Sequence, residues 1–184
     1  FWPDLRYAGM YVGRISEILS SVDRDNAATY AENAAAVSAQ LEEMDDAFVA
    51  ALATIPDENR KMVVYHDSWS YFGRRYSIPV VGAIQPTDFS EPSAAELRDT
   101  IEQVRAAGVP AFFGSEVFPS DVLEVIEDES GATYVADLSD DVLPGEPGTP
   151  EHSYQGMMLA NTRTIVEALG GEASALDSIV LTAS

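Results

Sequence analysis

His66 and Asp67 stand side by side directly after a short apolar, β-branched run, Met62 to Tyr65. Polar residues occupy the matching place after two other short apolar runs. Ser115 and Glu116 follow Ala111–Gly114, and Asp137 lies just beyond Thr133–Val135. An imidazole, two or three carboxylates and a hydroxyl can do one of two things together. They can hold a divalent ion, since imidazole and carboxylate oxygen match zinc and manganese. They can also move protons, with His66 as general base and Asp67 or Asp137 orienting it. Taken alone, His66 is explained equally well as a loop residue or the cap of a helix start. The second histidine, His152, sits in an acidic, Pro-flanked loop and is expected at the surface.

These groups meet only if the elements before them form one parallel sheet. From Lys61 onward, short strands alternate with helical patterns: Met62–Tyr65, Val80–Ile84, Ala111–Gly114 and Thr133–Val135 against 69–76, 94–107 and 121–129. That alternation predicts a parallel four-stranded sheet with right-handed crossovers. In such a sheet, ligands bind beyond the carboxyl ends of the strands. The 94–107 helix opens with the capping box Ser93-x-x-Glu96 and stops at Gly108. Ser120 and Gly131 bracket the next. Residues 137–150, rich in Asp, Gly and Pro, form a loop. A last helix covers about 153–169, with Tyr154, Met157, Asn161, Ile165 and Ala168 on one face, and Ile179–Thr182 is a weak strand candidate.

Two helices precede this α/β part. Over 4–22 an apolar stripe of Ala8, Val12, Ile15, Leu19 and Val22 recurs at helical spacing. Asp23 and Asp25 interrupt it and are expected to supply the N-cap of the second helix. From about 25 to 55 the stripe Tyr30, Ala34, Val37, Leu41, Met44, Phe48, Leu52, Ile55 runs with no Gly or Pro until Pro56. A helix of that length spans roughly 46 Å at 1.5 Å per residue, longer than a small domain is wide. Sparse charge pairing argues against a coiled coil and favours a helix running across the back of two lobes.

Composition narrows the partners. The 184 residues carry 31 acidic and 10 basic side chains, a net charge of −21, which argues against nucleic acid. No apolar run reaches the roughly 20 residues of a membrane-spanning helix. With no cysteine, thiolate metal sites and disulfides are excluded, so any metal must be held by His and carboxylate. No GxSxG, P-loop or GxGxxG motif accompanies the histidine.

The segment VVYHDSWSYFGRRYSIPVVG (63–82) resembles the metal-binding solute receptors of bacterial zinc and manganese ABC importers, which read H-D-aromatic-x-Y-F, basic residues, then a second strand. The resemblance continues through AFFGSEVFPSDVLEVIEDESG and YVADLSDDVLPGE to SYQGMMLANTRTIVEAL, which is similar to the family's final helix with its Tyr, Met and Asn. The opening FWPDLRYAGMYVGRI is similar to the family's segment directly after its P-H-x-W motif.

The resemblance implies two α/β lobes joined by one long helix, with a metal bound between them by four side chains, two from each lobe. His66 and Asp137 match the pair of the second lobe. The other pair, histidines of the first lobe, would lie upstream, one of them immediately before Phe1. The chain then divides into a last helix of the first lobe (1–23), the linking helix (24–58) and the second lobe (59–184). Asp67, Glu116 and Ser115 would orient metal-bound groups or make ordinary loop hydrogen bonds. A third imidazole tilts the intact site toward Zn2+, with Mn2+ the alternative, because nitrogen donors favour the softer ion. The implied function is a receptor, not an enzyme. It would work outside the cytoplasmic membrane and deliver its ion to an ABC transporter permease. A His/carboxylate metallohydrolase is the reading from another class.

Overall fold

The computed structural model describes residues 1–83, 93–114, 120–136 and 138–181. Four strands, β1 (Met62–Val64), β2 (Val80–Ala83), β3 (Ala111–Phe113) and β4 (Thr133–Val135), form one sheet in the order β2-β1-β3-β4. All three pairings are parallel, as the strand–helix alternation predicts. The helices are α1 (Leu5–Val22), α2 (Ala27–Leu52), α3 (Ser70–Tyr76), α4 (Ala94–Ala107), α5 (Ser120–Ser130) and α6 (Tyr154–Ala168).

The sheet is covered on both faces, and the pleat explains how. Met62, Val64, Ala111 and Phe113 point to one side. There they join Met44, Phe48, Ala51 and Leu52 of α2, Phe72 and Tyr76 of α3, and Met157, Met158, Ile165 and Val166 of α6. Val63, Tyr65 and Phe112 point to the other side, toward Ile101 and Val104 of α4 and Leu123 and Ile126 of α5. Strands buried on both faces read as continuous apolar runs, which is why β1 and β3 were legible without alternation.

Local signals at the helix ends act as read in most cases. Asp4 caps α1, its carboxylate accepting the Arg6 N–H at 3.0 Å. The capping box at Ser93 is complete in both directions, and Gly108 ends α4 at φ +61°. Gly131, at φ +75°, follows α5. Arg60 closes two helices at once, its guanidinium donating to the carbonyls of Leu52 and Tyr76 at 2.7 and 3.2 Å.

Four expectations are corrected. The long helix is shorter than 25–55: a 3-10 turn at Arg24–Asn26 precedes it and it ends at Leu52. Its 26 residues still make a rod of about 39 Å. Asp23 does not cap it either; its carboxylate instead accepts from Asn26 Nδ2 at 2.9 Å and Tyr30 Oη at 2.7 Å. Residues 179–181 are not a strand. The chain there leaves a 3-10 turn, Ala173–Ser178, whose Ala173 and Leu176 are buried in the same core as α2, while Val180 is 75% exposed. Thr182 lies outside the described residues. His152 is half-buried rather than exposed, with Nδ1 3.2 Å from the Pro144 carbonyl oxygen.

The α1 stripe is only partly used. Ala8 is buried and Val12 packs against the core, whereas Ile15, Leu19 and Val22 are exposed, Val22 by 76%.

Candidate metal centre

The strand order reverses direction between β1 and β3. From β1 the chain crosses through α3 to β2 on one side. It then returns through α4 to β3 on the other side, and α3 and α4 cover opposite faces of the sheet. The carboxyl ends of β1 and β3 therefore flank a topological switch point, where open α/β sheets place their ligands. A small hollow lies there. Val64, Tyr65 and His66 line it from the end of β1, Phe113 and Gly114 from the end of β3, and Leu138 and Asp140 from the loop beyond β4, with Trp69 completing the wall.

Each wall is held by identifiable forces. The Tyr65 N–H donates to the Phe113 carbonyl at 2.6 Å and the Gly114 N–H to the Val135 carbonyl at 2.9 Å, tying the three strand ends together. His66 then leaves the sheet with an exposed side chain, and its carbonyl accepts the Ser68 N–H at 2.9 Å. That tight turn hands the chain to Trp69, only 3% exposed, whose indole packs edge-on against Phe72 and Trp2 at 5.4 and 6.5 Å. Gly114 has to be small: a Cβ there would sit 2.8 Å from the Tyr134 ring carbon Cζ.

Beyond β4 the loop is gripped by Asn161 of α6, itself 1% exposed. Its amide nitrogen donates to the Ser139 carbonyl at 2.6 Å, and its amide oxygen accepts the Ser139 N–H at 2.9 Å. A buried amide that satisfies both backbone groups of one residue fixes that residue's place in two directions. Leu138, 2% exposed, anchors the loop from the other side.

The sequence-predicted site residues fare unequally. His66 is at the rim, as expected. Asp67 is exposed and accepts from Ser70 Oγ at 2.6 Å, an ordinary turn contact at the start of α3, and it does not line the hollow. Asp137, Glu116 and Ser115 lie outside the described residues. Among the described residues, no three His or carboxylate side chains gather closely enough to hold a metal ion. Two contributors escaped the sequence reading. Asp140 was one acidic residue among many in a Pro/Gly-rich loop. Asn161 carried a signal, its place on one face of the final helix with Tyr154 and Met157, but not its partner.

A second polar cluster lies on the far side of α3. Asp45 of α2, 9% exposed, accepts from Nε and Nη2 of Arg75 and from Tyr76 Oη, the Nε contact at 3.1 Å and the phenol at 2.7 Å. Burial, and then the bond to Asp45, pushes the Tyr76 phenol far above its usual range. This clasp fastens α2 to the helix that leads directly out of the His66 turn.

A doubly wound α/β lobe with an open switch point, joined to a long helix, has the form of one half of a ligand-binding protein. A profile of the family described as zinc-uptake complex component A, periplasmic (ZnuA) matches residues 1–168, and the chain belongs to that family. Among its relatives, the manganese-binding lipoprotein MntA of Halalkalibacterium halodurans is 26% identical over 168 residues, covering 91% of this chain and 56% of MntA. The high-affinity zinc uptake system protein ZnuA of Paracoccus denitrificans is 34% identical over 127 residues, 68% of this chain and 38% of that protein. The structure of the periplasmic zinc-binding protein TroA of Treponema pallidum superposes with a TM-score of 0.80 at 27% identity, covering 91% of this chain and 62% of TroA. The matches thus span between 38% and 62% of the length of these relatives. No described helix is long and apolar enough to cross a membrane.

Proposed function

We propose that this chain is part of a metal-capturing receptor that takes Zn2+ at the switch point of its sheet and delivers it to a membrane permease. The observation that carries the reading is the position of His66: an exposed imidazole at the carboxyl end of β1, in a chain belonging to the ZnuA family. His66 and Asp137 are the ligands contributed from this lobe. Residues 1–23 form the last helix of a first lobe, 24–58 the linking helix and 59–184 the second lobe. Further ligands come from the first lobe, and water completes the shell where they are absent. Because imidazole and carboxylate ligands must be deprotonated to bind, capture weakens on acidification. The receptor works on the outer side of the cytoplasmic membrane and binds without catalysing.

Calorimetric titration of the metal-free chain with Zn2+ tests this. His66→Ala and Asp137→Asn should each lower the affinity at least tenfold; unchanged affinity in His66→Ala overturns the assignment. Manganese is the second reading, favoured by MntA, named as manganese-binding, and by the structure of FpvC of Pseudomonas aeruginosa in complex with Mn2+, 27% identical with a TM-score of 0.74. Direct competition between the two ions decides between them. Turnover of a generic ester or phosphoester that His66→Ala abolishes would instead support a hydrolase.

A further inference from the structure

The clasp between α2 and α3 has a carboxylate at its centre that the capture of an ion at His66 does not use. We infer that Asp45 is a positioning residue for metal capture: by fixing the end of α3 it sets Trp69, which lines the hollow together with His66. The inference rests on the reading of His66 as a metal ligand and adds to it a residue of the long helix.

Three observations carry it. First, α3 has little to hold it by itself. Its seven residues make fewer than two turns, and among the described residues no side chain caps its N-terminus. A helix of that length does not form alone in water, so its place is decided by what grips it from outside. At its last two residues the grip is Asp45, whose carboxylate accepts from Nε and Nη2 of Arg75 and from Tyr76 Oη.

Second, the grip reaches the hollow through consecutive ring contacts. Tyr76 packs on Phe72 at 4.7 Å and Phe72 on Trp69 at 5.4 Å, and Trp69 lines the hollow. All three rings are buried, and in a close-packed interior a shift of one displaces the next. His66 is itself exposed and enters the tight turn that leads to Trp69, with its carbonyl accepting the Ser68 N–H. A turn anchored at both ends presents its imidazole in one place, which leaves less to be ordered when an ion arrives.

Third, stability alone does not call for a carboxylate here. The lost hydration of a buried ion pair often cancels its attraction, so apolar side chains of similar size serve a core as well. Position 45 lies among Leu41, Met44 and Phe48, each at most 3% exposed, where an apolar residue would continue the pattern. What Asp45 adds is direction. Two bonds to a planar guanidinium and a third from a phenol fix angle as well as distance.

The test titrates the metal-free chain with Zn2+ by calorimetry and follows its melting without metal. The variants are Asp45→Asn, an apolar set combining Asp45→Leu, Arg75→Met and Tyr76→Phe, then Val104→Ala and His66→Ala. Val104 is buried on the opposite face of the sheet and controls for lost stability. At a temperature where it is fully folded, Asp45→Asn should bind Zn2+ about fivefold more weakly. The apolar set should melt close to the natural chain yet lose as much affinity. Val104→Ala should melt lower and keep its affinity. If Asp45→Asn binds Zn2+ as tightly as the natural chain while His66→Ala loses binding, the inference fails and the capture site stands. An equal loss in Val104→Ala marks a general effect of stability and also overturns it. Retained binding in His66→Ala removes the proposed site itself, and this inference with it.

Discussion

The two ends of the α1–α2 hairpin obey the same sequence rule and meet different fates. Toward the start of α1 and the end of α2, Leu5, Ala8, Leu41, Met44, Phe48 and Leu52 are buried against the sheet body. Toward the turn between the helices, Ile15, Ile18, Leu19 and Val22 are exposed, and Tyr30, Ala34 and Val37 of α2 are at most half-buried. Val12, Ile15 and Leu19 line an open groove against Tyr30, Ala34 and Val37, so the helices touch there without closing a core. The spacing of apolar residues does not change along either helix. A stripe states which face seeks cover; it does not state what covers it. The buried end also holds the Asp45–Arg75–Tyr76 clasp, so tertiary packing and polar pairing reinforce each other in one place only.

Mutations at the two ends should separate sharply. Phe48→Ala, at a side chain with no exposure, should cost about 3–5 kcal/mol in urea unfolding. Asp45→Ala leaves Arg75 and Tyr76 without their acceptor, and a cost of about 3 kcal/mol is expected. Tyr76→Phe keeps the Arg75 pair and loses one charged hydrogen bond, for about 1.5–2 kcal/mol.

The same tyrosine gives a pH signature. Its folded-state pKa is raised, so its contribution is fully present below its ordinary value near pH 10. That contribution declines above that pH, where the unfolded chain loses the phenolic proton first. Tyr76→Phe should flatten the alkaline fall of stability measured by urea titration from pH 9 to 11, and an unchanged slope would place the phenol in contact with water.

At the small end, Ile15→Ser and Leu19→Ser should each stay within about 0.5 kcal/mol of the natural chain. A loss comparable to that of Phe48→Ala would break the comparison and show that the exposed end is covered in solution.

Much of the fold was readable because its causes are local. The Met62–Tyr65 run, the Ser93 capping box and the Gly108 stop each depend on neighbours within four residues, and each acts as read. The Asp23 assignment failed for a reason of the same scale. An Asn and a Tyr, three and seven residues on, take its carboxylate through their side chains. Ile179–Thr182 failed because a β-branched apolar run is consistent with a strand or with any buried tail. The 3-10 turn just before it takes its first residue instead, the Ile179 N–H donating to the Leu176 carbonyl at 3.2 Å. At the candidate site, His66 was legible from its place after a strand. Asp140 was not, because nothing in the adjacent sequence separates it from Asp141; only the fold places it at the hollow.

By itself, then, the sequence determined most of the elements, the parallel sense of pairing and the donor chemistry available: imidazole and carboxylate, never thiolate. Those follow from residue type and from periods of two and 3.6, which are short-range properties. Only the tertiary structure decided that the switch point falls between β1 and β3, that Asp140 shares a hollow with His66, and that one end of the α1–α2 hairpin is closed while the other stands open. Each of those is a relation between segments far apart in the chain, set by which apolar faces meet when the sheet is covered on both sides.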